Sequence, residues 1–210
     1  TDDEKPYHAR KVTLLNGPHT VLSPVTVLSG VNIVRDACEH PVLGKYIHKV
    51  QFDELMQTLD LPIDELQKFA GDVLERFENP FVDHQVTSIM LNSFPKFETR
   101  DLPGVKIYLE RKKELPQGLV FGLAAIITYY KGGKRNGTPI VPNDDQKIMD
   151  KLAELWATGD TKKIAEGVLA FDYVWHEDLN KTVPGLAELV KKDLDLIQEK
   201  GMLEAVKTIL

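Results

Sequence analysis

Cysteine is almost absent from this sequence: Cys38 is the only one among 210 residues, so no internal disulfide forms. A lone cysteine is typical of a reducing compartment, and we expect a cytoplasmic location. A long apolar run is also missing. The longest one, Leu119 to Tyr130, contains Gly122 and is shorter than the ~20 residues that span a bilayer. We therefore expect no membrane partner.

An excess of positive charge is missing as well. The chain has 26 basic and 32 acidic residues, for a net charge of −6, and the two signs are interspersed. This pattern lacks the basic face that binds nucleic acid, so we expect no nucleic-acid partner. The sequence has no G-x-G-x-x-G after a strand, no P-loop and no metal-ligand spacing. We therefore predict no cofactor-binding residues and no metal site in this chain.

An initiator methionine is absent too. The chain begins at Thr1, and the acidic stretch from Thr1 to Pro6 has no hydrophobic segment, so it is not a signal peptide. We expect this chain to be part of a longer polypeptide.

Helical periodicity dominates what is present. Asp60 and Pro62 indicate a helix start, and the run from Leu66 to Phe77 has apolar residues at helical spacing. Two strand signals are weak: the segment 31–34 is short, and 46–52 leads directly into a helical pattern. We predict one all-α domain over residues 1–210. The predicted helices are residues 61–78, 81–91, 103–113, 117–131, 146–156, 161–169, 184–200 and 202–210, and residues 132–143 are predicted to be an irregular, solvated loop.

The segment from Lys11 to His19 concentrates polar chemistry in an apolar setting. On a continuous helix, ~100° per residue places Asn16 about 140° and His19 about 80° from Lys11. Gly17-Pro18 argues against continuity, because Gly is flexible and Pro disfavours αR at the preceding residue. We therefore predict a helix–break–helix corner, with Asn16 and His19 near the turn and Lys11 one to two turns back.

These three side chains suit the interconversion of a secondary alcohol and a ketone. A lysine in an apolar pocket has its ammonium form disfavoured, which makes it a competent general base. An amide and an imidazole donate hydrogen bonds to an oxygen that gains negative charge. From spacing alone the alternative stays open, in which Lys11 is solvated, Asn16 caps a turn and His19 belongs to the core.

Three blocks of this sequence resemble one enzyme family. Arg10-Lys-Val-Thr-Leu-Leu-Asn-Gly-Pro-His-Thr20 resembles the K-x-x-x-x-N-G-x-H signature of the polyol-specific long-chain dehydrogenases, the mannitol dehydrogenase family. Glu75-Arg-Phe-Glu-Asn-Pro-Phe-Val-Asp-His-Gln85 and Leu91-Asn-Ser-Phe-Pro-Lys-Phe-Glu-Thr-Arg100 resemble two later blocks in the same order. The resemblance covers most of the chain. It implies the helical C-terminal domain of that family, similar to the C-terminal domain of 6-phosphogluconate dehydrogenase.

The resemblance also implies catalytic roles. Lys11 corresponds to the general acid/base, and Asn16 and His19 correspond to the groups that bind and polarise the reacting oxygen. The family binds NAD in an N-terminal Rossmann domain, and nothing in this chain replaces that domain. The implied partners are thus a sugar-acid substrate and a Rossmann domain of the same polypeptide, and the chain alone is expected to be inactive.

Substrate contacts are implied by the third block. Lys96 and Arg100 lie where the family lines its substrate site, and their charge suits the carboxylate of a hexuronate. His84 is one helix upstream and is a further candidate for substrate contact. Solvated turns around Pro95 and Pro103 are the alternative for the two cations, and a capping or core role is the alternative for His84.

Two readings compete with a hexuronate oxidoreductase. Within the family, Pro18, Thr20 and the pair Asn92-Ser93 most resemble the branch that acts on hexuronates; fructuronate and mannitol enzymes are the sister alternatives. Outside the family, the chain would be a non-catalytic helical interaction module. Its support is the amphipathic C-terminal pair of helices, with apolar residues Leu186, Leu189, Leu194, Leu196 and Ile197.

Overall fold

The computed structural model describes residues 4–135 and 137–210. The acidic start discussed above therefore lies partly outside the described residues. Within the described ranges the chain is a multi-helical fold with one small β-hairpin, which confirms the all-α prediction. The α-helices are α1 (Lys5–Lys11), α2 (Gly17–Ser29), α3 (Val34–Glu39), α4 (Leu43–His48), α5 (Ile63–Phe77), α6 (Val86–Ile89), α7 (Ser93–Arg100), α8 (Leu102–Lys112), α9 (Gln117–Tyr129), α10 (Gln146–Ala157), α11 (Thr161–Leu169), α12 (Asp172–Trp175), α13 (Leu179–Thr182), α14 (Leu186–Lys200) and α15 (Met202–Ile209).

Helices α1 and α2 are joined without a corner, so the predicted break at Gly17-Pro18 is wrong. A π-helical segment, Val12–Asn16, connects them, and Gly17 has helical backbone angles with φ −59° and ψ −60°. The wider π turn accommodates the ring of Pro18, which in a regular α-helix clashes with the carbonyl of Leu14 and leaves it without an N–H donor. The Gln51 amide supplies the donor instead, at 2.9 Å from the Leu14 oxygen.

Gln51 comes from a second irregular helical run. Helix α4 continues through a π-helical segment, Lys49–Glu54, into a 3₁₀ turn, Leu55–Thr58. The strand-like alternative for residues 46–52 is therefore wrong: the buried apolar residues Tyr46, Ile47 and Val50 have helical spacing. The Gln51 side chain is fully buried and also donates to the carbonyl of Ala70 at 3.4 Å.

Two other segments differ from expectation. Of the predicted helix over 81–91, only α6 is helical; residues before it form a loop, because Pro80 and the Ile33–Gln85 bridge hold the backbone extended. In the predicted irregular loop, β1 (Gly133–Arg135) pairs antiparallel with β2 (Thr138–Ile140), and Arg135 is opposite Thr138.

Two helices begin at an aspartate cap, whereas the predicted start at Asp60 differs from the structure. The Asp145 carboxylate accepts from the Lys147 N–H at the start of α10, and Asp160 accepts from the Lys162 N–H at the start of α11. Asp60 does not cap α5. Pro62 stands at that position, and the Asp60 carboxylate instead receives two hydrogen bonds from Arg111.

Helix α9 is the centre of the core and packs against α2 and α14. Nearly all of its residues are buried, as expected from its apolar sequence. Its contact with α2 is close at Gly122: a Cβ atom there would lie 2.4 Å from Val21 Cβ. Gly122 thus sets the distance between α9 and the helix that carries Asn16 and His19.

The N-terminus of α9 is held by two buried carboxyl groups. Glu54 accepts hydrogen bonds from the N–H groups of Gly118 and Leu119, at 2.7 and 2.8 Å. Asp193 of α14 accepts from the Gln117 amide at 3.0 and 3.1 Å. Burial raises the pKa of Glu54 to about 7 against the pull of its two backbone N–H donors, and burial raises the pKa of Asp193 to about 7.

The C-terminal helices pack inward. Leu186, Leu194 and Ile197 are buried in the common core, and Leu189 and Leu196 pack against it. This removes the apolar face on which the interaction-module reading depended. In the part of the chain that the structure describes, no helix is both long and apolar enough to cross a bilayer.

Stability is expected to fall as pH rises from 5 to 7. Glu54 and Asp193 have pKa values of about 7 in the fold and ordinary values of 4.5 and 3.8. At these two carboxyl groups the folded state therefore binds more protons than the unfolded state in this window, and each group lowers the free energy of unfolding by on the order of 2 kcal/mol between pH 5 and 7. Buried Asp101 acts in the same direction, because burial raises its pKa well above the usual range. His19 acts in the opposite direction below its ordinary pKa of 6.5, because its pKa in the fold is lowered to about 3, but the carboxyl groups outweigh it. Chemical denaturation at several pH values measures the slope.

Glu54→Gln removes one of these titrations and should flatten that slope. Glu110→Gln, on the exposed end of α8, is the matched control and should leave the slope unchanged. An unaltered slope in Glu54→Gln would show that Glu54 does not titrate in this range.

Candidate active site

The π-helical segment affects how Lys11, Asn16 and His19 are arranged along the helix. The Gly17 N–H donates to the carbonyl of Val12, five residues earlier. In such a turn, residues five apart take the neighbouring positions that residues four apart take in an α-helix. Asn16 is five residues after Lys11, and His19 is three residues after Asn16. The backbone therefore places Lys11, Asn16 and His19 along one side of the helix, which the predicted corner would not have done.

His19 has the most distinctive environment of the three. Its ring stacks on Phe77 with centroids 4.1 Å apart, and the ring of His84 meets it edge-on at 5.5 Å. Burial, together with the charges of His84 and Arg100, lowers the pKa of His19 to about 3. Its Nε2 atom is buried and has no hydrogen-bond partner among the described residues. His19 is therefore a neutral imidazole with one ring nitrogen that is not hydrogen-bonded to any described residue.

Arg100 reaches the same helix from α7. Its Nη1 atom donates to the Thr20 hydroxyl at 3.3 Å, and that hydroxyl donates to the carbonyl of Asn16 at 2.9 Å. Lys96, one turn earlier in α7, donates from Nζ to the carbonyl of Ile89 at 2.8 Å. Four predicted site residues are thus brought together: His19, His84, Lys96 and Arg100.

Lys11 is less enclosed than its sequence context predicts. Asn16 is half-buried, and Lys11 is exposed at the end of α1. The apolar surroundings that the sequence led us to expect for Lys11 are not supplied by the described residues. A cavity of about 580 Å³ lies between α1, the Thr58–Leu61 turn and α8. Arg100 lines it, but the other five predicted residues do not, so the cavity borders this group of side chains.

Two buried polar residues next to the site, Asp101 and Gln51, were not predicted from the sequence. Asp101 is fully buried, burial raises its pKa well above the usual range, and neither carboxyl oxygen has a hydrogen-bond partner among the described residues. A Cβ on Gly17 would lie 2.8 Å from Asp101 Oδ1, so this carboxyl occupies the space beside the π segment. Gln51 was missed as well. The only signal for it was Pro18, which predicts a carbonyl in need of a donor.

The described residues do not form a dinucleotide site of the usual kind. Their only sheet is the antiparallel pair β1–β2, and the strand–glycine loop–helix unit that binds a pyrophosphate is missing from them. No group of three or more metal-ligating side chains is found in residues 4–135 and 137–210.

The fold of this chain is shared with two solved proteins. Over its full length the chain superposes with a TM-score of 0.87 on Pseudomonas fluorescens mannitol 2-dehydrogenase, solved as a ternary complex with NAD and D-mannitol. The match is 21% identical and covers 42% of that chain. D-sorbitol dehydrogenase, solved without substrate, matches 98% of this chain with a TM-score of 0.82 and 21% identity.

The family follows from sequence. Residues 3–198 match the model of the mannitol dehydrogenase C-terminal domain, and the chain belongs to that family. Altronate oxidoreductase of Bacteroides thetaiotaomicron is 76% identical over 208 residues, and that of Phocaeicola vulgatus 75%. Altronate oxidoreductase of Escherichia coli strain SE11 is 42% identical over 213 residues. Each alignment covers 99% of this chain, which spans only 43–44% of these relatives.

Gly17→Ala should destabilise the fold by ~1–3 kcal/mol, because the new methyl group meets the Asp101 carboxyl and Leu55. Gly71→Ala is the matched control: in helix α5 a Cβ at Gly71 meets nothing within 4 Å, so the change should stabilise by ~0.5–1 kcal/mol. Urea denaturation of both variants measures the difference. Equal effects would mean that the space beside Gly17 is not filled as described.

Proposed function

We propose that this chain is the substrate-binding and catalytic half of an NAD-dependent hexuronate oxidoreductase that interconverts D-altronate and D-tagaturonate. The observation that carries the proposal is 76% identity, over nearly the whole chain, to an altronate oxidoreductase. The side-chain chemistry agrees, because a lysine, an amide, a neutral imidazole and two further cations suit an anionic keto sugar.

In this proposal Lys11 moves the proton. When D-tagaturonate is reduced, its keto carbon gains a hydride and its keto oxygen gains the proton that Lys11 gives; oxidation of D-altronate reverses both transfers. Asn16 and His19 hold that oxygen. His19 suits this role because it is uncharged and its Nε2 has no other partner in the described residues. A neutral donor steadies a developing oxyanion without competing with Lys11 for the proton.

Lys96, Arg100 and His84 are proposed to bind the rest of the substrate. Arg100 offers a planar fork that suits a carboxylate, and Lys96 offers a point charge. Both side chains are only half-buried, so they are accessible to a ligand. His84 is exposed beside His19, and we propose that it contacts a sugar hydroxyl.

The hydride would come from NAD(H), held mainly by the part of the polypeptide that this chain does not include. We propose that this part is an N-terminal Rossmann domain, and that it also covers Lys11 and gives it the apolar surroundings that a general base needs. The neighbouring structure with NAD and D-mannitol supports the choice of cofactor for the family. The domain assignment 1–210 is proposed on the same grounds.

The 210-residue chain alone should show no NADH-dependent reduction of D-tagaturonate, whereas the longer polypeptide should show it. Absorbance at the NADH band measures both. Detectable turnover by the chain alone would contradict the division of roles. Turnover of D-fructuronate or D-mannitol in preference to D-tagaturonate would select a sister specificity instead.

Lys11→Ala in the longer polypeptide should lower kcat by about 10²–10⁴-fold with little change in KM, because proton transfer is lost and binding is not. Lys68→Ala, an exposed lysine on α5, is the control and should behave as the parent. A fall of less than about tenfold would remove Lys11 from the acid/base role.

Arg100→Ala should raise KM more for D-tagaturonate than for a neutral ketose, because only the former has a carboxylate for the fork to bind. Steady-state kinetics with both substrates gives the ratio. An equal rise in KM for both substrates would mean that Arg100 supports the fold of the site and does not bind the carboxylate.

A further inference from the structure

The N-terminus of helix α7 is held by Tyr130 and Asp144, which lie outside the three sequence blocks that resemble the family. The Ser93 N–H donates to the Tyr130 hydroxyl oxygen at 3.2 Å, and this hydroxyl donates to Asp144 Oδ2 at 2.5 Å. The Phe94 N–H also points to Asp144 Oδ2, at 3.5 Å. Asp144 and Tyr130 together therefore satisfy the first free N–H groups of α7, which a helix start otherwise leaves without acceptors.

Further contacts fix this end of α7 in one position. Asn92, just before the helix, has a left-handed backbone with φ 53°, and its N–H donates to the carbonyl of Asn143 at 3.0 Å. The ring of Phe94 meets Tyr130 edge-on, with centroids 4.9 Å apart. The segment 143–144 thus acts as a clamp on the start of α7.

Lys96 lies one turn into this clamped helix. Its Nζ donates to the carbonyl of Ile89 at 2.8 Å, which fixes the direction of the side chain. Burial lowers the pKa of Lys96, Arg100 lowers it further, and Asp144 opposes both by favouring the ammonium form. Asp144 is therefore the anion that offsets the cost of placing two cations one turn apart.

Other titratable groups near α7 do not replace Asp144. The π segment and α9 contribute no charged side chain toward α7, and α2 contributes only His19, which is neutral. The remaining titratable side chains on elements packed against α7 are Lys106, Tyr108, Glu110, Arg111 and Lys112 of α8, Tyr129 of α9, and Asp172 and Tyr173 of α12. None of these groups has a charge effect on Lys96. The two charged groups that do are Arg100 of α7 and Asp144.

We propose that Asp144, held by Tyr130, is a positioning residue: it fixes the start of α7 and attracts the Lys96 ammonium, and so directs Lys96 at the anionic substrate. Asp144 does not touch the substrate in this scheme; it acts through Lys96 and through the start of α7. The proposal rests on the proposed function for the identity of the substrate, but the link between Asp144 and Lys96 belongs to this chain alone.

The first test reads Lys96 directly in the 210-residue chain. Acetylation of the Lys96 amine by acetic anhydride is followed by peptide-resolved mass spectrometry across a pH series, which gives the titration of that amine. In Asp144→Asn, which keeps an oxygen acceptor at the helix start, the titration should move to lower pH by about 0.5 unit or more, a change of about threefold in reactive amine. Asp150→Asn, an exposed residue of α10, is the control and should leave it in place.

The second variant, Tyr130→Phe, keeps the ring against Phe94 but removes both hydrogen bonds of the hydroxyl. It should move the Lys96 titration in the same direction, because Asp144 is no longer held. An unmoved titration in both variants, with the fold intact by circular dichroism, would overturn the proposal. If Asp144→Asn does not fold, the Tyr130→Phe result decides alone.

The third measurement is made in the longer polypeptide. With D-tagaturonate, Asp144→Asn should raise KM at least threefold at the alkaline end of the pH profile, leave kcat within about twofold, and approach the parent at lower pH, where Lys96 regains its proton. A merely structural role would raise KM equally at every pH. If the Lys96 titration moves but KM does not, the positioning link stands and the substrate-binding role of Lys96 in the proposed function fails.

Discussion

The hydrogen bond from Gln51 to the carbonyl of Leu14 is the interaction on which the candidate site depends. Pro18 removes a backbone donor in the middle of a helix, and without a replacement the buried Leu14 oxygen would cost ~1–3 kcal/mol. Gln51 supplies the donor from a second helix that is itself irregular at that point. Because the carbonyl is satisfied, the chain continues through Gly17-Pro18 as one helix. Asn16 and His19 then lie on the same rigid element as Lys11.

The sequence predicted the regular parts of the fold and missed the irregular ones for one physical reason. Helices such as α9, α10 and α11 follow from local signals: apolar periodicity, Asp145 and Asp160 as caps, and glycine after the last turn. The run through Gly17-Pro18 does not, because the groups that stabilise it, Gln51 and Asp101, are distant in the chain. Local sequence rules include the destabilisation that a proline causes inside a helix. They do not include a hydrogen-bond donor from a distant segment that offsets it.

The candidate site shows the same difference between local signals and contacts with distant segments. The residue types at Lys11, Asn16, His19, Lys96 and Arg100 suggested proton transfer and anion binding, and the resemblance to a family suggested which of them belong together. Their surroundings could not be read from spacing. The stack of His19 on Phe77, which leaves the imidazole neutral, and the clamp of Asp144 and Tyr130 on α7 both join segments far apart in sequence.

The π segment between α1 and α2 also has a consequence for comparing sequences. A π turn is an α-helix with one residue inserted, and the five-residue step from Lys11 to Asn16 spans that insertion. Deleting a single residue between them would restore a regular helical turn, in which a step of four residues aligns side chains as the five-residue step does here. A one-residue alignment gap at this place would therefore leave the lysine and the asparagine on the same side of the helix. The number of residues between the two has to be compared together with the type of helical turn that joins them.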